Sequence, residues 1–181
     1  MNVDREHRLS DAELDAVLNL ASSAGATPWE SWVEGRDGLS GATFIMTGTA
    51  PNRGELYLYG FGGKAESDLV DLFAEMRNSI DELVAETVAR RSGNPPRVSP
   101  CRFDRLQQLS AACPAPPWKV MRTGIDIFSG VEVDPEKTVI DSGTLRFGIT
   151  SGDGPVPEKL LNFIVETRNV VPGLLDELRA A

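Results

Sequence analysis

The chain repeats itself, and this limits its architecture more than any other feature. Displaced by 89 residues, Asp15 falls on Asp104, Leu20 on Leu109, Ala26 on Ala115 and Pro28-Trp29 on Pro117-Trp118. Gly35, Asp37 and Ser40-Gly41 fall on Gly124, Asp126 and Ser129-Gly130, and Thr49, Gly54, Leu56 and Gly63 on Thr138, Gly143, Leu145 and Gly152. Residues 13–63 give 13 identities in 51 ungapped positions. A two-residue insertion near Pro155–Pro157 then moves the offset to 91. Leu69, Glu75, Arg77, Asn78, Leu83 and Glu86 match Leu160, Glu166, Arg168, Asn169, Leu174 and Glu177. Identity in the same order across both halves points to a tandem duplication. Its units are residues 1–91 and 99–181. The linker 92–98 is marked by Gly93 and Pro95-Pro96, which cannot continue a helix.

Each unit reads α-β-β-β-α, which makes the chain an α+β protein. Ser10 and Glu13 have capping-box spacing, and Leu14, Val17, Leu18 and Ala21 form a helical stripe that Gly25 and Pro28 end. Strands follow over Trp29–Glu34, Ala42–Thr49 and Glu55–Phe61. In the last of these, Leu56, Leu58 and Gly60 alternate with Tyr57, Tyr59 and Phe61. The second copy offers Trp118–Arg122, Phe128–Val133, Thr138–Asp141 and Thr144–Thr150. The turns are hairpin-sized, so the strands form antiparallel meanders. A long helix closes each unit, with Leu69, Leu72, Phe73, Met76, Ile80, Leu83, Val84 and Val88 at its apolar spacing. In the second copy Pro172 interrupts that helix, and Asn169 is expected to cap a fresh segment from Val170. A three-stranded sheet leaves an edge open, so the two units are expected to pair about a pseudo-twofold axis.

Charge and composition remove several function classes. The net charge is −9. Residues 1–91 hold 16 acidic and 8 basic side chains, residues 92–181 hold 11 and 10, and neither half offers the basic face that nucleic-acid backbone requires. Asp68, Asp71 and Glu75 read as a solvated helix face. No run of 18 apolar residues is present, so no membrane span is expected. No leader of charged, apolar and small residues opens the sequence, so a cytoplasmic location is expected. The 2 cysteines and single histidine exclude a four-cysteine or multi-histidine metal site, and no cofactor is expected. His7 lies near the start of the chain, so a nucleophile–histidine arrangement lacks a placed base. Binding rather than catalysis is the expected mode of action, although a carboxylate-only mechanism has no spacing signature.

The candidate site residues come from the repeat. Arg77-Asn78 and Arg168-Asn169 are the polar dipeptide kept in both copies. One reading makes them helix-joint chemistry, with Arg at the negative end of one segment and Asn capping the next. The other makes them twin ligand-binding sites on a shared cleft, where Arg holds an anion such as a nucleotide. Trp32 has no counterpart, since Met121 takes its place, so an exposed Trp32 is a candidate protein-binding residue. Pro28-Trp29 and Pro117-Trp118 read as buried helix-to-strand corners. Gly60-Phe61-Gly62-Gly63-Lys64 fails the phosphate-loop spacing, with Leu58 at the first glycine position and Ala65 after the lysine. Asp37 and Asp126 read as turn residues, and Cys113, which replaces Ala24, as a small apolar filler.

These units carry a proline before tryptophan in Ala26-Thr27-Pro28-Trp29 and a helix running from Phe163-Ile164 through Arg168, Asn169 and Pro172 to Leu174-Leu175. This pattern resembles small phage and prophage proteins, the Ead-like accessory proteins of lambdoid phages and similar actinobacterial and actinophage proteins, here in tandem. The corner glycine of that pattern is missing, and two units are fused. The resemblance implies a phage- or mobile-element-type accessory role and brings no catalytic residues. The expected partner is a host or defence protein; the alternative is a small anionic ligand held between the repeats. A homodimer is compatible with either.

Overall fold

The first helix begins where its capping residues require. In the computed structural model, which describes residues 8–38, 43–59, 64–94, 99–122, 138–152 and 155–180, α1 spans Asp11–Ser23. The Ser10 hydroxyl accepts from the Glu13 N–H, and Glu13 accepts from the Ser10 N–H at 2.7 Å. Leu14, Val17 and Ala21 are the buried residues of its stripe. Strands β1 (Trp29–Trp32), β2 (Phe44–Thr47) and β3 (Gly54–Tyr59) follow, and then the long helix α2 (Lys64–Arg91). The second half supplies α3 (Pro100–Ala112), β4 (Lys119–Arg122), β5 (Thr138–Asp141), β6 (Arg146–Ser151) and α4 (Glu158–Ala180). The expected strand over Phe128–Val133, the loop residues Gly60–Gly63, Ser40-Gly41, Asp126 and Ser129-Gly130, His7 and linker residues 95–98 lie outside the described residues.

The protein is α+β, with all six strands in one antiparallel sheet of order β1-β2-β3-β6-β5-β4. The halves meet at the centre, where Tyr57 opposes Thr150, Leu58 opposes Ile149 and Tyr59 opposes Gly148. This junction removes one edge from each three-stranded meander and, among the described residues, leaves β1 and β4 as the outer edges, each of four residues.

The helices lie on one face. Ile45, Leu56, Leu58, Ile140, Phe147 and Ile149 are buried beneath α2 and α4 in a core shared by both halves. The tryptophan of each half packs on the long helix of the other. Trp29 meets Phe163 edge-on with centroids 5.6 Å apart, and Trp118 meets Phe73 at 5.9 Å. Burying a side chain of this size contributes about 1.5–3 kcal/mol, so these exchanged aromatics join the halves firmly. Likewise α1 packs on α4, and α2 on α3.

Three expectations need correction. Helix α4 is continuous through Pro172, with no fresh segment at Val170. Val171, Leu174, Leu175 and Leu178 are buried on either side of the proline, and this packing holds the turn that the missing N–H weakens. Val88 stands outside the apolar stripe of α2 and is 48% exposed. The constant offset of 89 also fails within the sheet. It aligns Thr49 with Thr138, whereas the strand beside β4 is Thr138–Asp141, in the place that Phe44–Thr47 takes beside β1. A longer β4–β5 connection shifts the register.

Candidate functional site

Arg77 and Arg168 sit on the long helices but direct their guanidiniums inward. Arg77 is 5% exposed, and its Nε and Nη2 donate to the Gly25 carbonyl at 3.2 and 2.7 Å. Arg168 is 1% exposed, and its Nη2 donates to the Pro114 carbonyl at 2.7 Å and the Ser110 carbonyl at 3.1 Å. Its Nη1 also donates to the Ser110 hydroxyl at 3.1 Å. Each arginine thus closes the chain reversal between a short helix and an edge strand. Arg77 lies over Phe163 at 5.9 Å, and Arg168 over Trp118 at 5.4 Å.

Neither Asn78 nor Asn169 caps a helix, because α2 and α4 run unbroken through them. Each side-chain amide instead pairs with a tryptophan backbone. Asn78 accepts from the Trp29 N–H at 2.8 Å and donates to its carbonyl at 2.8 Å. Asn169 does the same at Trp118, at 2.7 and 3.2 Å. The amide thus supplies the donor and acceptor that a neighbouring strand would offer.

The two arginines differ in counter-charge. Arg77 has Asp81 one turn along its helix at 3.5 Å. Arg168 has no carboxylate within ion-pair distance among the described residues, and loss of solvent lowers its pKa below the ordinary arginine value. It borders a cleft of about 280 Å³ between α3 and α4, with Gln107, Ser110, Pro172 and Leu175.

Asp71 departs from the solvated face expected of it. It is 9% exposed and accepts two bonds from Arg36, at 2.7 and 3.0 Å, one from Arg105 at 3.1 Å, and one from the Ser31 hydroxyl. The carboxylate therefore ties β1, the turn after it, α2 and α3 together, and its hydrogen bonds raise the Arg36 pKa. Glu75, also assigned to that face, is half-buried and accepts from Ser79 at 2.8 Å. The groove of about 780 Å³ between α2 and α3 is crossed by Arg102, which pairs with Glu82 at 2.8 Å and Glu75 at 3.4 Å.

The sheet face turned away from the helices carries the remaining candidate. Trp32, Phe44 and Tyr57 are consecutive partners across β1, β2 and β3, and the next row holds Glu30, Met46 and Glu55. Side chains alternate along a strand, so these six oppose buried Ile45 and Leu56. Phe44 and Tyr57 touch, with ring centroids 5.5 Å apart, and the Tyr57 hydroxyl donates to Glu55. Trp32 is half-buried rather than exposed, and its Nε1 has no acceptor among the described residues. Phe44, Met46 and Tyr57 were not among the sequence candidates; the alternation of Tyr57 with Leu56 and Leu58 was the signal that could have found them.

Other sequence candidates take structural places. Asp37 accepts from the Val33 N–H at 2.8 Å within a turn where Gly35 and Gly38 have φ of 75° and 78°. Cys113 is buried in the core, and Cys101 is exposed. Among the described residues no group of three or more His, Cys, Asp or Glu could hold a metal ion, and no helix is long and apolar enough to cross a membrane. No family model matches the chain, and no significant match occurs among the curated proteins or the solved structures.

Proposed function

We propose that this chain is a non-catalytic accessory protein, of the phage or mobile-element type, that holds a partner protein on the face of its sheet turned away from the described helices. The observation that carries this reading is the Trp32–Phe44–Tyr57 row, three aromatic side chains in register on the face opposite the core. Aromatic residues in a contiguous patch are the usual anchors of protein interfaces. Arg77, Asn78, Arg168 and Asn169 support a scaffolding role on the helical side of the sheet, because each reaches a backbone group of the same chain.

The proposal includes an origin by tandem duplication, with the halves related by an approximate twofold through the Leu58–Ile149 pair. Three recurrences support it: the amide pairing at Trp29 and Trp118, the arginine closure at Gly25 and Pro114, and the matching sheet order on either side of β3 and β6. In this reading Trp32 and Met121 occupy related places, so the aromatic patch belongs to one half alone.

The test is affinity capture from extracts of a host cell with the native chain and with a Trp32→Ser/Tyr57→Ser variant, followed by rebinding of the purified captured protein. Loss of a partner by the variant, at an unchanged melting temperature, supports the reading. Equal capture by both chains overturns it.

A further inference from the structure

We infer that the sheet face of the first half turned away from the described helices accepts a cationic, amphipathic polypeptide segment, with lysine or arginine flanking the apolar residues that meet Trp32, Phe44 and Tyr57; this rests on the docking reading above. The charge of the face specifies the partner. Glu30 and Glu55 flank Met46 in one cross-strand row beside the aromatic row, and both are exposed. Strands lie about 4.8 Å apart, so the backbones of the two glutamates stand about 10 Å from one another across the patch. Among the described residues the Glu55 carboxylate accepts only the Tyr57 hydroxyl, and neither glutamate has a cation within ion-pair distance. The contrast with Asp71, Glu86 and Glu177 is sharp, since each of those is paired with an arginine.

The far end of the same face differs in sign. Lys119, Asp141 and Arg146 form the corresponding cross-strand row, with Arg146 on Asp141 at 2.9 Å. The acidic end therefore lies beside the aromatic row and the cationic end away from it. Residues 1–91 hold 16 acidic and 8 basic side chains, a field that draws a cationic segment toward this half and opposes a second copy of the same chain. Carboxylates beside aromatic rings also suit lysine and arginine doubly, through ion pairs and through the ring faces.

The experiment titrates the full chain with three short peptides that alternate leucine with lysine, glutamine or glutamate. Binding is read by calorimetry and by tryptophan fluorescence, to which Trp32 contributes as the one tryptophan not buried in the core. The lysine peptide should bind about tenfold tighter than the glutamate peptide and lose that advantage as salt rises. Glu30→Gln with Glu55→Gln should bring the lysine and glutamine peptides to equal affinity, while Trp32→Ser should weaken all three. If the glutamate peptide binds as well as the lysine peptide and Trp32→Ser weakens both, the face still docks chains but the cationic assignment falls. Lysine-peptide binding unchanged by Trp32→Ser and Tyr57→Ser would overturn the docking reading with it. A concentration-dependent dimer in sedimentation, abolished by Trp32→Ser, would assign the face to a second copy and equally overturn the inference.

Discussion

The corners at Trp29 and Trp118 are built from the same residues yet carry their charge differently. In both, an asparagine amide pairs with the tryptophan backbone and the preceding arginine closes the helix-to-strand reversal. At the first corner Asp81 lies 3.5 Å from Arg77 and is largely exposed. At the second Arg168 is held by Ser110, Pro114 and the Trp118 ring, without a carboxylate among the described residues. A guanidinium can thus be buried without a carboxylate where carbonyls, a hydroxyl and a ring face converge on it. The helix register decides which solution is available: Asp81 lies one turn beyond Arg77, whereas Pro172 lies one turn beyond Arg168.

This contrast sets the largest expected effect. Arg168→Ala removes a large buried side chain and strands the Ser110 and Pro114 acceptors, which should cost about 4 kcal/mol. Arg77→Ala leaves one main acceptor, the Gly25 carbonyl, and should cost about 2 kcal/mol. Urea unfolding of the two variants reads the difference directly. If Arg77→Ala costs as much as Arg168→Ala, convergence of carbonyls is not what holds the second corner.

Asp71 offers the next contrast, because the first half alone has it. Asn162, 91 residues further on in α4, is exposed. Asp71→Ala should cost about 2 kcal/mol, a value reduced from that of a fully buried pair because Arg36 and Arg105 remain half in solvent. Asn162→Ala should change the unfolding midpoint hardly at all. Because alanine is the better helix former at both positions, similar losses would mean that the ion cluster is not what Asp71 contributes.

Much of this was legible from local pattern. The capping box at Ser10 and Glu13, the stripe through Leu69, Phe73, Met76 and Ile80, and the strands around Leu56 and Ile140 follow from spacing alone. The long-range polar bonds were not legible. Nothing local distinguishes an asparagine that caps a helix from one that reaches a tryptophan backbone 49 residues away. Asp71 sits among acidic neighbours on a helix, and it is the tertiary approach of Arg36, Arg105 and Ser31 that turns it into a buried anchor. Pro172 misled for the same reason, since burial of Val171 and Leu174 outweighs a local preference. For the candidate site, Trp32 stood out as the aromatic without a counterpart, but its row needed the register that brings Phe44 and Tyr57 beside it.

The amide pairings provide a contrast expected to vanish. Asn78→Ala and Asn169→Ala each remove two hydrogen bonds to a tryptophan backbone, and each should cost about 2 kcal/mol. Thermal unfolding should rank them equal, because the geometry at the two corners is nearly the same. An asymmetry as large as that of the arginines would mean that the amides owe their strength to the neighbouring guanidinium.

The smallest effect concerns the helix starts. At α1, the Ser10 backbone and then its hydroxyl hold the Glu13 carboxyl below its ordinary value of 4.5. At α3, Ser99 makes no side-chain cap bond, and Arg102 occupies the place of Glu13. A carboxyl whose pKa is lower in the folded chain stabilises it above the unfolded value, and this contribution is lost as the pH falls through the folded one. The native chain should therefore lose some stability between neutral and acidic pH that Glu13→Gln lacks already at neutral pH, while Ser99→Ala leaves the profile unchanged. Melting temperatures across that range separate the cases. A Glu13→Gln profile parallel to the native one would show that the charge of Glu13 adds nothing to the box, whose Ser10 N–H a glutamine oxygen can also accept, leaving the two helix starts alike in their response to pH.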